Sequence, residues 1–241
     1  MGSRCMSTVV CIGGGRFGSK AAIASRRSNA SVLVIDNSES CQARMVADLI
    51  TSDVDSILYA APGEVRLFIG EGVSTLDDIL ARWVPNLVVP ASKGHLAAHL
   101  AVEHCRRQGR ILAPIATVNG LAGRLPPRSV IISDDRLGVV VTSHMPQGRM
   151  CQEDCEQPQI CPVSGTLILT PMHRSIDEAL SDSVDWQFVL ATAGTGQFGG
   201  IKGPDLKVML AALDDLEEGA TCGIATACRC HGIINLFRML D

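Results

Sequence analysis

Residues 7–36, STVVCIGGGRFGSKAAIASRRSNASVLVID, decide the fold. Positions 7–12 form a short aliphatic run, and Gly13-x-Gly15-x-x-Gly18 follows at once. An Ala-rich segment from about Arg16 to Arg26 predicts a helix, and 31–35 a second strand that ends in Asp36. Gly13 permits a tight turn, Gly15 lets backbone approach a pyrophosphate, and Gly18 lets helix pack close to strand. The helix start offers unpaired N–H groups and a positive dipole end to phosphate. In this reading Gly13, Gly14, Gly15, Arg16, Phe17 and Gly18 cradle a dinucleotide, and Asp36 accepts both hydroxyls of a ribose. No Arg follows Asp36 in DNSESC, so a 2′-phosphate would be repelled and NAD(H) is expected over NADP(H). A different adenosine ligand such as S-adenosylmethionine, or no ligand, stays open.

The stretch GGGRFGSKAA…VLVIDNS resembles the NAD-binding domain of potassium-uptake regulators, the TrkA-N or RCK type. The likeness spans about residues 7–60 and is carried by the glycines and Asp36. At 43–60, ARMVADLITSDVDSILYA stands where that family usually has a Gly-Asp-Ala/Thr segment. The resemblance implies a Rossmann domain that holds NAD(H), and a regulatory module that catalyses nothing.

Further strands are expected at 56–60 or 65–69, at 86–89 and at 110–114. Helices are expected between them, at 74–83 behind a Ser74 cap and at 94–109, where Arg106, Arg107 and Gly109 make a helix end. Such alternation predicts an α/β fold with a doubly wound parallel sheet, Rossmann-like, over residues 1–120. Ligands of such sheets bind at the carboxyl ends of the strands, which places Lys93, His95 and Asn119 on the ligand side. Lys93 and His95 are the candidate catalytic residues, to supply a proton or polarise a carbonyl. His95, His99 and Glu103 recur every four residues, a spacing that suits a metal or a solvated polar face.

A Pro- and Gly-containing link at 121–128 opens a second domain, 121–241, expected to be α/β as well. Residues 129–143 read as a β-hairpin, 166–170 as a strand, 175–182 as a short helix and 186–193 as a strand. A second glycine pattern, Gly194-x-Gly196-x-x-Gly199, reads as a mobile turn or an anion cradle, with Pro204 in the first turn of a later helix. Residues 222–227 read as a buried strand, followed by a short amphipathic helix.

This domain carries the loop GRMCQEDCEQPQICPVSG, residues 148–165, with Cys151, Cys155 and Cys161. Close spacing lets successive thiolates face one centre. Cys230 is the expected fourth ligand, and Cys222, Cys228 and His231 are further donors. Glu153, Asp154 and Glu156 add negative charge, which opposes a free nucleophilic thiolate and which a metal cation would offset. An iron–sulfur cluster is the leading reading; zinc, a thiol/disulfide pair and unliganded thiols stay open. Cys5, Cys11, Cys41 and Cys105 are scattered through predicted elements and read as small core side chains.

The bulk numbers exclude other classes. Net charge is −4, no basic cluster stands out and aromatics are 3%, which argues against nucleic-acid binding. No apolar run reaches the roughly 18 residues of a membrane span. The start has no signal-peptide shape, so a cytoplasmic location is expected. Ser-His-Asp, Walker A and His-Glu-x-x-His patterns are absent. The expectation is an NAD(H)-dependent oxidoreductase acting on a small-molecule substrate or electron acceptor, with a sulfur-ligated metal. A non-catalytic nucleotide sensor and an S-adenosylmethionine-dependent enzyme are the alternatives, and a homodimer is compatible with either.

Overall fold

A computed structural model describes residues 7–146, 148–152, 155–195 and 198–240. Cys5, Glu153, Asp154 and Gly196 lie outside the described residues. β1 (Thr8–Ile12) passes through the glycine turn into α1 (Arg16–Arg27) and returns as β2 (Ser31–Asp36). β3 (Leu49–Thr51) and β4 (Val65–Ile69) follow, joined by a 3-10 segment, Val54–Tyr59. Next come α2 (Gly72–Arg82), β5 (Leu87–Pro90), α3 (Leu96–Arg107), β6 (Ile111–Pro114) and α4 (Val118–Ala122). β7 (Val130–Asp134) and β8 (Val139–Ser143) form a hairpin, ahead of α5 (Met172–Ser181) and β9 (Trp186–Ala191). β10 (Ala193–Thr195), β11 (Phe198–Lys202), α6 (Gly203–Asp214), β12 (Thr221–Ala227) and β13 (His231–Leu240) complete the chain.

The elements form two units. One comprises the chain through Leu96 together with Ala193–Lys207; the other comprises Ala97–Thr192 and Val208 onward. The division falls at Leu96, not near residue 120, because β6 pairs antiparallel with the end of β13 and so joins the second sheet (Ile111 opposite Leu240, Pro114 opposite Phe237). The protein is α/β with two mixed sheets, which corrects the expectation of a purely parallel one.

The first sheet runs β10-β11-β5-β1-β2-β4-β3. β5, β1, β2, β4 and β3 are mutually parallel, with Val10 opposite Leu33 and Cys11 opposite Val89. Every residue of Val32–Ile35 is fully buried, as a strand covered on both faces requires. Val9, Cys11, Val32, Val34 and Leu67 share one core with Ala21 and Ala22 of α1. Leu76, Ile79 and Leu80 of α2 are likewise buried, and α2 packs on β1 and β2. Each such side chain contributes about 1.5–3 kcal/mol by leaving water.

β11 adds antiparallel to β5, Ile201 opposite Val88, and β10 pairs with β11. Of the second glycine pattern, Gly194 lies in β10 opposite Gly199 of β11, and β11 is stitched to the edge of β5. Its backbone groups from 198 to 202 go into strand pairing. Pro204 does sit in the first turn of α6.

The second sheet runs β7-β8-β13-β12-β9, with β6 against β13. Among the described residues β9 and β12 pair parallel and the other neighbours of this sheet antiparallel. One face packs on α4 and α5, through Val140, Ile234, Leu236 and Ala225 against Leu121, Met172, Ile176 and Leu180. The tail, read as a short helix, is the strand β13. From His231 to Leu236 partly buried and buried residues alternate, the period of a strand. Residues 166–170 form no strand; Leu167 makes one isolated bridge to Ile160. Among the described residues no helix is long and apolar enough to cross a membrane.

Candidate functional site

The glycine turn joins β1 to α1 at the carboxyl edge of the parallel strands. Gly13 has φ +107°, and a Cβ there would lie 2.8 Å from the Ala91 carbonyl. A Cβ on Gly18 would lie 1.8 Å from the Gly13 oxygen, so α1 packs on the turn as closely as glycine allows. Gly15 is the opposite case: exposed, with nothing within 4 Å of where its Cβ would be. As N-cap of α1 it supplies no side-chain acceptor, and the first turn of α1 holds no acidic residue. Arg16 and Phe17 are exposed beside it. Gly14 differs; it is buried and its N–H donates to Asp36 Oδ2 at 2.6 Å. Asp36 Oδ1 accepts from the Ser38 N–H at 2.8 Å. A carboxylate has about four lone-pair sites, so Asp36 keeps acceptor capacity beyond these two bonds.

A cleft of about 130 Å³ adjoins the turn, lined among others by Gly13, Asp36, Asn37, Glu71 and Ser92. Typical small-molecule pockets hold roughly 300–1,000 Å³. The cleft is smaller than that range. Lys93 is exposed on the loop after β5, while His95 is buried. His99 is exposed and Glu103 forms a two-pronged ion pair with Arg106, both bonds 2.8 Å, so the stripe 95, 99, 103 is not one open face. Asn119 lies on α4 in the second unit and donates to Asp135 at 2.6 Å.

In the second unit the Gln157–Arg229 link ties the loop that carries Cys155 to the turn that carries Cys228 and Cys230. β12 ends at Ala227, the chain turns through Cys228–Arg229–Cys230, and β13 starts at His231. This turn closes with a Cys228 N–H bond to the His231 carbonyl at 2.9 Å. The same turn aims two amides at one sulfur: Cys228 Sγ accepts from the Cys230 N–H at 3.3 Å and the His231 N–H at 3.2 Å. His231 Nδ1 lies 3.5 Å from that sulfur. Cys161 differs: its Sγ donates to Met145 Sδ at 3.6 Å. Its carbonyl accepts from the Gly165 N–H at 2.8 Å. Cys155 Sγ accepts from the Gln157 N–H at 3.4 Å. Gln157 then ties loop to tail: its Oε1 accepts from the Arg229 N–H at 3.1 Å, and its carbonyl from Arg229 Nε at 3.0 Å.

The protonation behaviour follows. Burial pushes Cys151 up to about 11, with further push from Cys155, Cys228 and Cys161. Burial pushes Cys230 up to about 12, helped by Cys228, Cys161, Cys155 and Cys151. Cys230 therefore lies within electrostatic reach of the other four sulfurs, and Cys151 within reach of Cys155, Cys161 and Cys228. Cys228 is raised by burial despite its two amides. The nearby Ser164 hydroxyl and the Ser164 and Val163 amides hold Cys161 below the ordinary thiol range. Burial lowers both His144 and His231, and the two rings oppose each other's charge at His231. His144 Nε2 is buried with no hydrogen-bond partner among the described residues.

The donor set, five thiols and two neutral imidazoles, has the chemistry that zinc or iron–sulfur centres take. Among the described residues, no three Cys, His, Asp or Glu side chains stand close enough to form a ready-made metal group. Cys222, the other sulfur donor considered, lies fully buried inside β12 and is pushed up to about 12 by burial. Sequence reading missed the parts played by His144, Gln157 and Arg229; none of them belongs to a motif, and only the paired segments make them neighbours.

Two family models match the chain. AF_1314_N, "Uncharacterized protein, N-terminal domain", covers residues 8–96, and AF_1314_C, "Uncharacterized protein, C-terminal domain", covers 101–240. Their limits flank the division at Leu96. A protein of Archaeoglobus fulgidus, described as "Uncharacterized protein", is 30% identical over 230 residues, 95% of this chain and 98% of its own length. No solved structure matches. Matched by both models, and by this relative along nearly its whole length, the chain belongs to the AF_1314 family.

Proposed function

We propose that the protein is an NAD(H)-binding redox protein whose second unit holds a cysteine-ligated metal, an iron–sulfur cluster foremost and zinc as the alternative. One observation carries the reading: Cys230 of the tail lies within electrostatic reach of Cys228 and of the loop thiols Cys151, Cys155 and Cys161, and the sulfurs of Cys155 and Cys228 accept backbone N–H groups. Amides aimed at sulfur stabilise thiolate charge, a device that tunes metal–sulfur centres. Buried thiols crowded together resist ionisation, and a bound cation offsets that resistance. Cys151, Cys155, Cys161 and Cys230 are the proposed ligands, with Cys228 and His231 beside them. A cluster held there would supply one-electron transfer.

The order β4-β2-β1-β5 supports a Rossmann-like reading of the first unit. The chain reverses direction of build between β1 and β5, where the glycine turn lies, and nucleotides bind at such switch points. Gly15, open to solvent, and Asp36, with spare acceptor capacity, suit the pyrophosphate and ribose of NAD(H). Exposed Lys93 is the candidate proton donor; buried His95 is less accessible for that part. A reducing cytoplasm keeps such a thiol set available.

Anaerobic purification with a visible spectrum and iron, sulfide and zinc analysis tests the reading. A brown protein absorbing at about 400 nm is expected, losing its colour in Cys161→Ser and Cys230→Ser while NADH binding persists. Colourless, zinc-free protein with freely titrating thiols would overturn it. NADH oxidation with an artificial electron acceptor separates the enzyme from a sensor, which binds NADH without turnover.

A further inference from the structure

The second sheet has a face that α4 and α5 do not cover. There Ile131, Val141 and Ile233 line a groove of about 450 Å³, within the range of small-molecule pockets. Val141 is opposite Ile233, and Ile233 opposite Thr226, so these side chains form a row across three strands. Two residues along β13, and so on the same face, stands His231, and the lining continues to Cys228. The apolar row thus leads to the edge of the thiol cluster.

The groove's own polar groups are mostly satisfied from within. Thr142 Oγ1 donates to the Gly232 carbonyl at 3.3 Å, Ser143 Oγ accepts from the Met145 N–H at 2.9 Å, and Thr192 Oγ1 accepts from Gln157 Nε2 at 3.2 Å. Arg149 is different. It is exposed, it lines the groove, and its Nη1 donates to the Val163 carbonyl at 2.8 Å. No carboxylate pairs with it among the described residues. A guanidinium has five donors in a planar fork that matches a carboxylate, so most of its capacity is available. One fixed positive charge beside an apolar trough, in a chain of net charge −4, selects for a single anionic group on an apolar body.

We propose that this groove is a binding site for a small monocarboxylate with an apolar body: carboxylate on Arg149, body on Ile131, Val141 and Ile233. It deepens the redox reading by naming the substrate class that would lie beside Cys228 and His231. Only that placement rests on the metal reading; binding does not.

Calorimetric titrations on the whole protein, metal-loaded and metal-free, would use octanoate, 1-octanol and acetate as probes. Octanoate is expected to bind at least about tenfold more tightly than either octanol or acetate. Arg149→Gln should weaken octanoate by about tenfold or more while leaving octanol unchanged. Val141→Trp, which fills the trough, should remove both. Failure of octanoate to bind, or equal binding of octanoate and octanol with no effect of Arg149→Gln, would overturn the proposal. Octanoate binding in a protein that never takes up metal would uphold the groove and sink the metal centre instead.

Discussion

Gly15 and Gly18 stand three residues apart in one turn under opposite constraints. A methyl group on Gly18 would collide with the Gly13 carbonyl, whereas one on Gly15 would meet only solvent. Gly18→Ala should therefore cost stability, about 2–4 kcal/mol as overpacking of backbone against backbone does. Gly15→Ala should melt within a few degrees of the parent protein. Its effect should fall on the ligand: a Cβ standing where a pyrophosphate must approach is expected to weaken NADH by at least about tenfold. Thermal melts and NADH fluorescence titrations of the two variants check both statements. An unchanged NADH affinity in Gly15→Ala would remove the nucleotide from this turn. The close packing at Gly18 was legible in the sequence because it is a local steric matter, written in a spacing of a few residues. The state of Gly14 was not. Its amide is spent on Asp36, twenty-two residues on, and only the pairing of β1 with β2 brings the two together.

Elements were legible where a period was long or a punctuation sharp. α1, β2 and the β7–β8 hairpin follow their sequence signals, and α2 is capped by Glu71 taking the Ser74 N–H at 2.7 Å, so it starts just ahead of the expected Ser74. The tail HGIINLFRML was read as a helix because a short apolar run fits either period. Strand pairing decided the matter, through seven partners on β12 and five on β8. The distinction is measurable. Ile234→Ala, in the buried register, should cost about 2–5 kcal/mol, and Leu240→Ala, 38% exposed at the strand end, under about 1.5 kcal/mol. Urea unfolding of both variants provides the comparison; similar costs would contradict the register. The nearness of loop and tail was not legible, although 148–165 and the tail each announce cysteine. What joins them is the Gln157–Arg229 link, which depends on neither residue being unusual in type.

At the scale of the whole chain, each unit carries one of the two tryptophans. Trp83 donates to Asp55 at 2.9 Å in the first unit, and Trp186 opens β9 in the second. Trp186→Phe and Trp83→Phe variants thus report the units separately. NADH should raise the midpoint seen by Trp83, and a metal the midpoint seen by Trp186, each by about 2.7 kcal/mol at a hundredfold excess over Kd. A metal that shifts only the Trp83 signal would contradict the assignment of the thiols. The return of residues 193–207 to the first unit has a consequence for biosynthesis. On the ribosome β5 is made early, yet the strand that covers its far edge, β11, is encoded roughly 110 residues later, a wait on the order of ten seconds at usual elongation rates. Throughout that interval a nascent polypeptide displays a bare aliphatic strand margin, an invitation to neighbouring nascent chains. Translation that stalls before codon 198 would leave this margin permanently open, so such truncated products are the ones chaperones and proteases must clear.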